Sequence, residues 1–226
     1  MDVSYIIRNR RTCRKFDNRK VDNNTIIKLI ESAIYAPSAC NMQAWKFIVI
    51  QSHKKMDEMI AYGAAKWIKN APLGILVTYR NDVTINGQLY KDHYQSSAAA
   101  IQNILLEATN LGLATCWICD LPRPKYMRSI FNIPRQFDII AYIALGYPAQ
   151  DNSALSLKHY ESEVDFKKHA RKYSINQVMS YNSFEKVKND CTNLPGKKYL
   201  LFKHIYLKRH FLFGSFYTDH MLNSSK

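Results

Sequence analysis

The sequence predicts a three-layer sandwich of helices and strands, of the α+β or α/β class. Two observations carry this: helix-period and strand-like segments alternate irregularly along 226 residues, and one long helical segment is apolar on more than one face. With 47% hydrophobic residues the chain can bury a sizeable core, and one domain is the default at this length.

The elements follow in order. From Thr25 to Ala36, residues Ile26, Leu29, Ile30, Ala33 and Ile34 share one helical face, with Asn24 as the N-cap and Pro37 as the stop. The β-branched and aromatic run Trp45 to Ile50 reads as a strand. Ser52 to Tyr62 reads as a helix with Met56, Met59 and Ile60 inward, and Leu73 to Tyr79 as a buried strand after the break at Ala71-Pro72. Asp92 to Leu111 is the longest element, ended by Gly112 as the residue after the cap. Its Ala98 to Ile101, Ile104, Leu105, Leu106, Ala108 and Leu111 wrap around the helix, so it belongs at the centre of the fold or in an oligomer interface. Ala114 to Ile118 is a strand, Pro124 to Phe131 a helix with proline in its first turn, and Ile139 to Leu145 a strand closed by Gly146-Tyr147-Pro148.

Charge and glycine narrow the chemistry. Lys and Arg number 32 against 18 Asp and Glu, a net charge of +14 that favours an anionic ligand, nucleic acid or an acidic surface. The seven glycines are placed so that neither GxGxxG nor GxxxxGK[ST] occurs, so side chains must hold any nucleotide phosphate. The N-terminus lacks an apolar stretch suited to an export signal, and no run of about 18 uncharged apolar residues predicts a membrane span. Five dispersed cysteines fit reduced thiols in a cytoplasm.

Three segments concentrate polar chemistry. Arg8 to Lys15 packs five cations and the Thr12 hydroxyl into eight positions, a set of donors suited to phosphate and equally to a solvated basic turn. Ala36 to Trp45 carries Ser38, Asn41 and Gln43, whose donors and acceptors can read a planar heterocycle or satisfy a turn. Leu111 to Asp120 contains Cys116-Trp117-Ile118-Cys119, a formal CxxC. No second cysteine pair or spaced histidine pair completes a metal site, and small thiols on a buried strand are the simpler reading.

In order and spacing these segments resemble the FMN-dependent nitroreductase family. Arg10-Arg11-Thr12-Cys13-Arg14-Lys15-Phe16 matches RRSxRxF, Ala36 to Trp45 matches APSxxNxQPW, Gly112 to Cys119 matches GLGTxWxG, and Gly146-Tyr147-Pro148 follows. The resemblance spans about Ser4 to Phe184. It implies a homodimeric α+β sandwich with a mixed, mainly antiparallel central sheet, the long helix at the dimer interface, and each FMN shared between subunits. Residues 1–184 would form this domain and 185–226 a basic, aromatic extension.

Carried over by position, the resemblance places Arg10, Thr12 and Arg14 at the FMN phosphate and ribityl chain with Arg11 beside them. Pro37, Ser38, Ala39, Asn41 and Gln43 would meet the flavin from the partner subunit. Cys116, Trp117, Ile118 and Cys119 would face the reactive edge of the ring, and Arg171 and Lys172 would complete the phosphate site. Thr12 stands for the usual Ser, Ala44 for a common Pro, and Ala114 and Cys119 for frequent glycines; none of these changes removes a functional group.

FMN performs the hydride chemistry itself, so no Ser-His-Asp or paired-carboxylate set is required, and none is found. The expected cycle is ping-pong, from NAD(P)H through FMN to a nitroaromatic, quinone or similar acceptor. His93 and Tyr94 open the long helix, where His reads as solvated or capping. The region from 149 to 170 has no counterpart in the motifs. The tail from Val187 carries a basic, aromatic run read as packing across the dimer, with peripheral membrane or RNA contact as the alternative. No nucleic-acid partner, integral membrane segment or metal is expected. A flavin-binding or flavin-processing protein without NAD(P)H oxidation and a polyanion binder without chromophore are the competing functions.

Overall fold

The structure, a computed structural model, describes residues 2–82 and 91–149. Its elements are α1 (Val3–Asn9), α2 (Asn23–Ile34), β1 (Trp45–Ile50), α3 (His53–Ala61), β2 (Leu73–Arg80), α4 (Asp92–Asn110), β3 (Ala114–Ile118), α5 (Pro124–Phe131) and β4 (Phe137–Gly146). Short 3₁₀ turns lie at Ala39–Asn41 and Lys66–Asn70. All belong to the first of the two units into which the chain divides, Met1–Tyr160. Arg171, Lys172, the 184/185 boundary and the tail lie outside the described residues.

The strands pair antiparallel in the order β1-β2-β4-β3. Among the described residues the parallel pairing is the single bridge from Thr12 to Thr115. Alternation along β2 and β4 sends Leu73, Ile75, Val77, Ala141, Ile143 and Leu145 to a core shared with α2 and α4. The intervening Leu76, Tyr142 and Ala144 join Cys116, Met56, Met59, Ile68 and Met127 on the opposite face, under α3, α5 and the Lys66–Asn70 turn. Helices therefore cover both faces, which gives the α/β/α sandwich and explains why the central strand β2 is buried along nearly its whole length. At Gly74 the Tyr142 ring crosses so closely that a Cβ would lie 2.0 Å from its hydroxyl oxygen, so only glycine fits. Among the described residues no helix is long and apolar enough to cross a membrane.

Local signals account for the element ends. The α4 terminus is a Schellman motif: Leu113 N–H donates to Ala108 O at 2.7 Å, Gly112 N–H donates to Thr109 O at 3.1 Å, and Gly112 takes φ +73°. At α2 the expected cap is corrected. Asp22, not Asn24, is the N-cap, because its carboxylate accepts from both the Thr25 amide at 2.9 Å and the Thr25 hydroxyl at 2.7 Å. The helix thus begins at Asn23 and ends at Ile34, ahead of Pro37.

Candidate functional site

The first polar segment leaves α1 at Arg10 and runs along the β3 edge of the sheet. Cys13 N–H donates to Thr115 O at 2.8 Å, and Asp17 N–H donates to Tyr147 O at 2.9 Å. These bonds bring Arg10 to Phe16, the strand with Cys116 and Trp117, and the turn after β4 into one neighbourhood. Arg11 turns back on α1, where its Nη1 donates to the carbonyls of Arg8 and, at 2.8 Å, Arg10. Arg10 is half-buried, and burial followed by the charge of Arg11 lowers its pKa. Thr12 and Arg14 are exposed, and the Arg14 guanidinium lies 5.7 Å from the centroid of Trp67. Among the described residues neither Arg10 nor Arg14 has a carboxylate within ion-pair distance.

The four residues of the third segment divide by depth. Cys116 and Ile118 are buried, whereas Trp117 and Cys119 are exposed. Burial pushes the Cys116 thiol up, with Arg14 pulling it down and Cys13 adding to the rise, so the thiol stays protonated near neutrality. Among the described residues no group of His, Cys, Asp and Glu is placed to hold a metal ion.

The second segment lies elsewhere. It precedes β1, at the opposite edge of the sheet from β3, about 14 Å away at ordinary strand spacing. Cys40, Asn41 and Gln43 all take positive φ, at 49°, 55° and 48°, with no glycine among them. Side chains hold this conformation. Ser38 Oγ accepts from Gln43 N–H at 3.0 Å, Gln43 Nε2 donates to Asn41 Oδ1 at 2.9 Å, and Ser96 Oγ of α4 accepts from Ala39 N–H at 3.2 Å. Pro37 is exposed just before the loop. Within one chain, then, the first and third segments meet and the second does not join them.

His93 overturns its sequence reading. It is 8% exposed, with Nδ1 3.6 Å from Asp92 Oδ1 and Nε2 3.6 Å from Asp138 Oδ2. Asp138 also accepts from Asn81 Nδ2 at 2.9 Å and lies 3.9 Å from Arg128. A side chain at a helix start is solvated only if nothing covers the first turn; here the start of β4 does. Trp67 was likewise not singled out by the sequence, because an aromatic in a short turn carries no period.

The sequence profile of the Nitroreductase family matches residues 7–71 and 59–147, covering both segments that meet at β3 and the loop before β1. The chain belongs to the nitroreductase family. A Methanothermobacter thermautotrophicus protein, provisionally named an NADH dehydrogenase/NAD(P)H nitroreductase, is 34% identical over 157 residues, which is 67% of this chain and 80% of the relative. A nitroreductase family protein from Clostridium difficile 630 superposes with a TM-score of 0.68 at 24% identity, over 81% of this chain and 100% of that one. A protein of Desulfovibrio desulfuricans, provisionally assigned as a nitroreductase and solved in complex with FMN, superposes with a TM-score of 0.61 at 28% identity. It covers 68% of this nitroreductase-family chain and 90% of its own.

Proposed function

We propose that this chain is an FMN-dependent oxidoreductase that passes electrons from NAD(P)H to an electron-poor acceptor such as a nitroaromatic or quinone. The observation that carries the reading is the pair Arg10 and Arg14: two guanidiniums beside β3, one of them half-buried, with no described carboxylate as counterion. Such a set fits a dianionic phosphate, and it supplies by side chain what a glycine-poor chain cannot supply by a backbone loop. When bound, FMN supplies the two-electron hydride chemistry.

The chain's own residues anchor and orient. Arg10, Arg14 and the Thr12 hydroxyl would hold the phosphate, with Arg11 fixing the end of α1 through the carbonyls of Arg8 and Arg10. Cys116, Trp117, Ile118 and Cys119 would border the reactive edge, where a backbone N–H would orient the ring. Pro37, Ser38, Ala39, Asn41 and Gln43 approach the ring from a second copy of the chain. The separation of the loop before β1 from the β3 edge supports that division, since one chain alone offers each half of the site at a different edge. Exposed Val3, Ile7, Ile27 and Ile34 on α1 and α2, with Tyr35 capping α2, supply apolar surface for pairing. The donor leaves before the acceptor enters, in a ping-pong order.

Purification followed by a visible spectrum tests the reading. The expected result is a yellow protein, as isolated or after reconstitution with FMN, that bleaches anaerobically with NADH or NADPH and recovers its colour with acceptor. A protein that stays colourless through reconstitution overturns it. One that holds FMN but does not bleach with either nicotinamide is a flavin-binding or flavin-processing protein.

A further inference from the structure

Charge is segregated between the two helical layers. Residues 51–72 and 119–136, which build the layer of α3, the Lys66–Asn70 turn and α5, carry eight Lys and Arg against Asp57, Glu58 and Asp120. In the opposite layer, residues 2–9, 17–36 and 91–113 carry five cations and six anions. Lys54, Lys66, Lys69, Arg123, Lys125 and Arg135 are exposed, and none has a described carboxylate within ion-pair distance. The basic layer is continuous with the Arg10–Lys15 segment: Arg14 lies over Trp67, and Cys13 and Phe16 share a core with Met56, Ile68 and Met127.

The two layers suit different partners. Exposed aliphatic side chains lie on α1 and α2, whereas the large hydrophobic exposed on the basic layer is Tyr62, stacked on Tyr126 with ring centroids 4.2 Å apart and planes within 10°. Without an apolar wedge, this layer has nothing to insert into lipid. Each tyrosine already spends one ring face on the other, and Lys125 Nζ stands 4.6 Å from the Tyr126 centroid, so there is little free aromatic face for nucleobases. Exposed cations around a tyrosine pair instead fit a small acidic protein. Transient redox partners meet through small interfaces and are steered chiefly by charge.

We propose that the layer of α3, the Lys66–Asn70 turn and α5 docks an acidic one-electron carrier protein, which delivers electrons to the site beside Arg14 as a second donor. The proposal rests on the oxidoreductase reading above. Two reduced carriers are each oxidised by one electron; the acceptor gains both electrons and takes up two protons from water.

The test uses the full chain, a plant-type [2Fe–2S] ferredoxin as the acidic carrier, and the triple variant Lys66→Glu, Lys69→Glu, Lys125→Glu. Binding of oxidised ferredoxin, followed by calorimetry, needs no flavin. It should weaken about tenfold between about 20 and about 200 mM salt, and by a similar factor in the variant. With FMN loaded, anaerobic reduction by reduced ferredoxin should slow in parallel, while FMN content and the NAD(P)H-driven rate change less than about twofold. Absence of salt-dependent ferredoxin binding overturns the proposal. So does retention of binding in the variant, or loss in the variant of affinity for poly(U) or phosphatidylserine vesicles without any for ferredoxin. Failure to hold FMN overturns the earlier reading and leaves the binding arm to decide this one.

Discussion

Arg14 stands where two surfaces meet. Its guanidinium lies against Trp67 and pulls down the thiol pKa of Cys116, yet no described carboxylate neutralises it. Arg14→Ala removes a charge-assisted donor without opening the core, so FMN should bind more weakly by about 10- to 100-fold, equivalent to roughly 1.5–3 kcal/mol. Flavin fluorescence quenching reads that change, and circular dichroism should remain that of the parent protein. Stoichiometric FMN retention in the variant would refute the phosphate assignment. At this scale legibility was uneven. The cations of the first segment stood out by type and crowding, whereas the positive φ of Cys40 had no signal, because no glycine marks it and the hydroxyl that steadies the loop, Ser96, lies 56 positions further on. Of the two carboxylates flanking His93, Asp138 was also out of reach, since it arrives from β4, 45 positions further on.

Elements were far more legible where punctuation was strong. The strands Trp45–Ile50 and Ala114–Ile118 and the helix Pro124–Phe131 occupy the residues that composition and turn signals assign to them. The start of α2 was misread because three residues able to cap a helix, Asp22, Asn23 and Asn24, stand together, and only the Thr25 contacts distinguish Asp22. Those contacts have a measurable consequence. The Thr25 hydroxyl, followed by the Thr25 amide, holds the Asp22 carboxyl below its ordinary value of 3.8. A depressed carboxylate pKa contributes stability above its ordinary value and loses it as pH falls toward the depressed one. Asp22→Ala should therefore lower Tm at neutral pH, and its gap from the parent protein should close as pH drops below 3.8. A gap of constant size across that range would show that the cap acts without its charge.

For the whole molecule, layer order followed from the alternation of elements and the all-round apolar α4, whereas strand order did not, because antiparallel neighbours β2 and β4 are separated by two other elements of the sheet's surroundings and a further strand. The net charge of +14 gave an inclination toward anions but no direction; folding concentrates its described part on the β3 edge and one helical layer. The placement of the β1 loop and the β3 segment at opposite sheet edges has a genetic consequence. If a complete site draws one part from each copy, a chain damaged at Arg14 and a chain damaged at Asn41 can rescue each other, because a mixed dimer gathers both lesions in one site and leaves the other whole. Random pairing of equal amounts should restore about one quarter of the sites. Co-refolding the two variants and counting bound FMN measures that fraction. No recovery above the separate variants would mean that each chain holds its flavin alone.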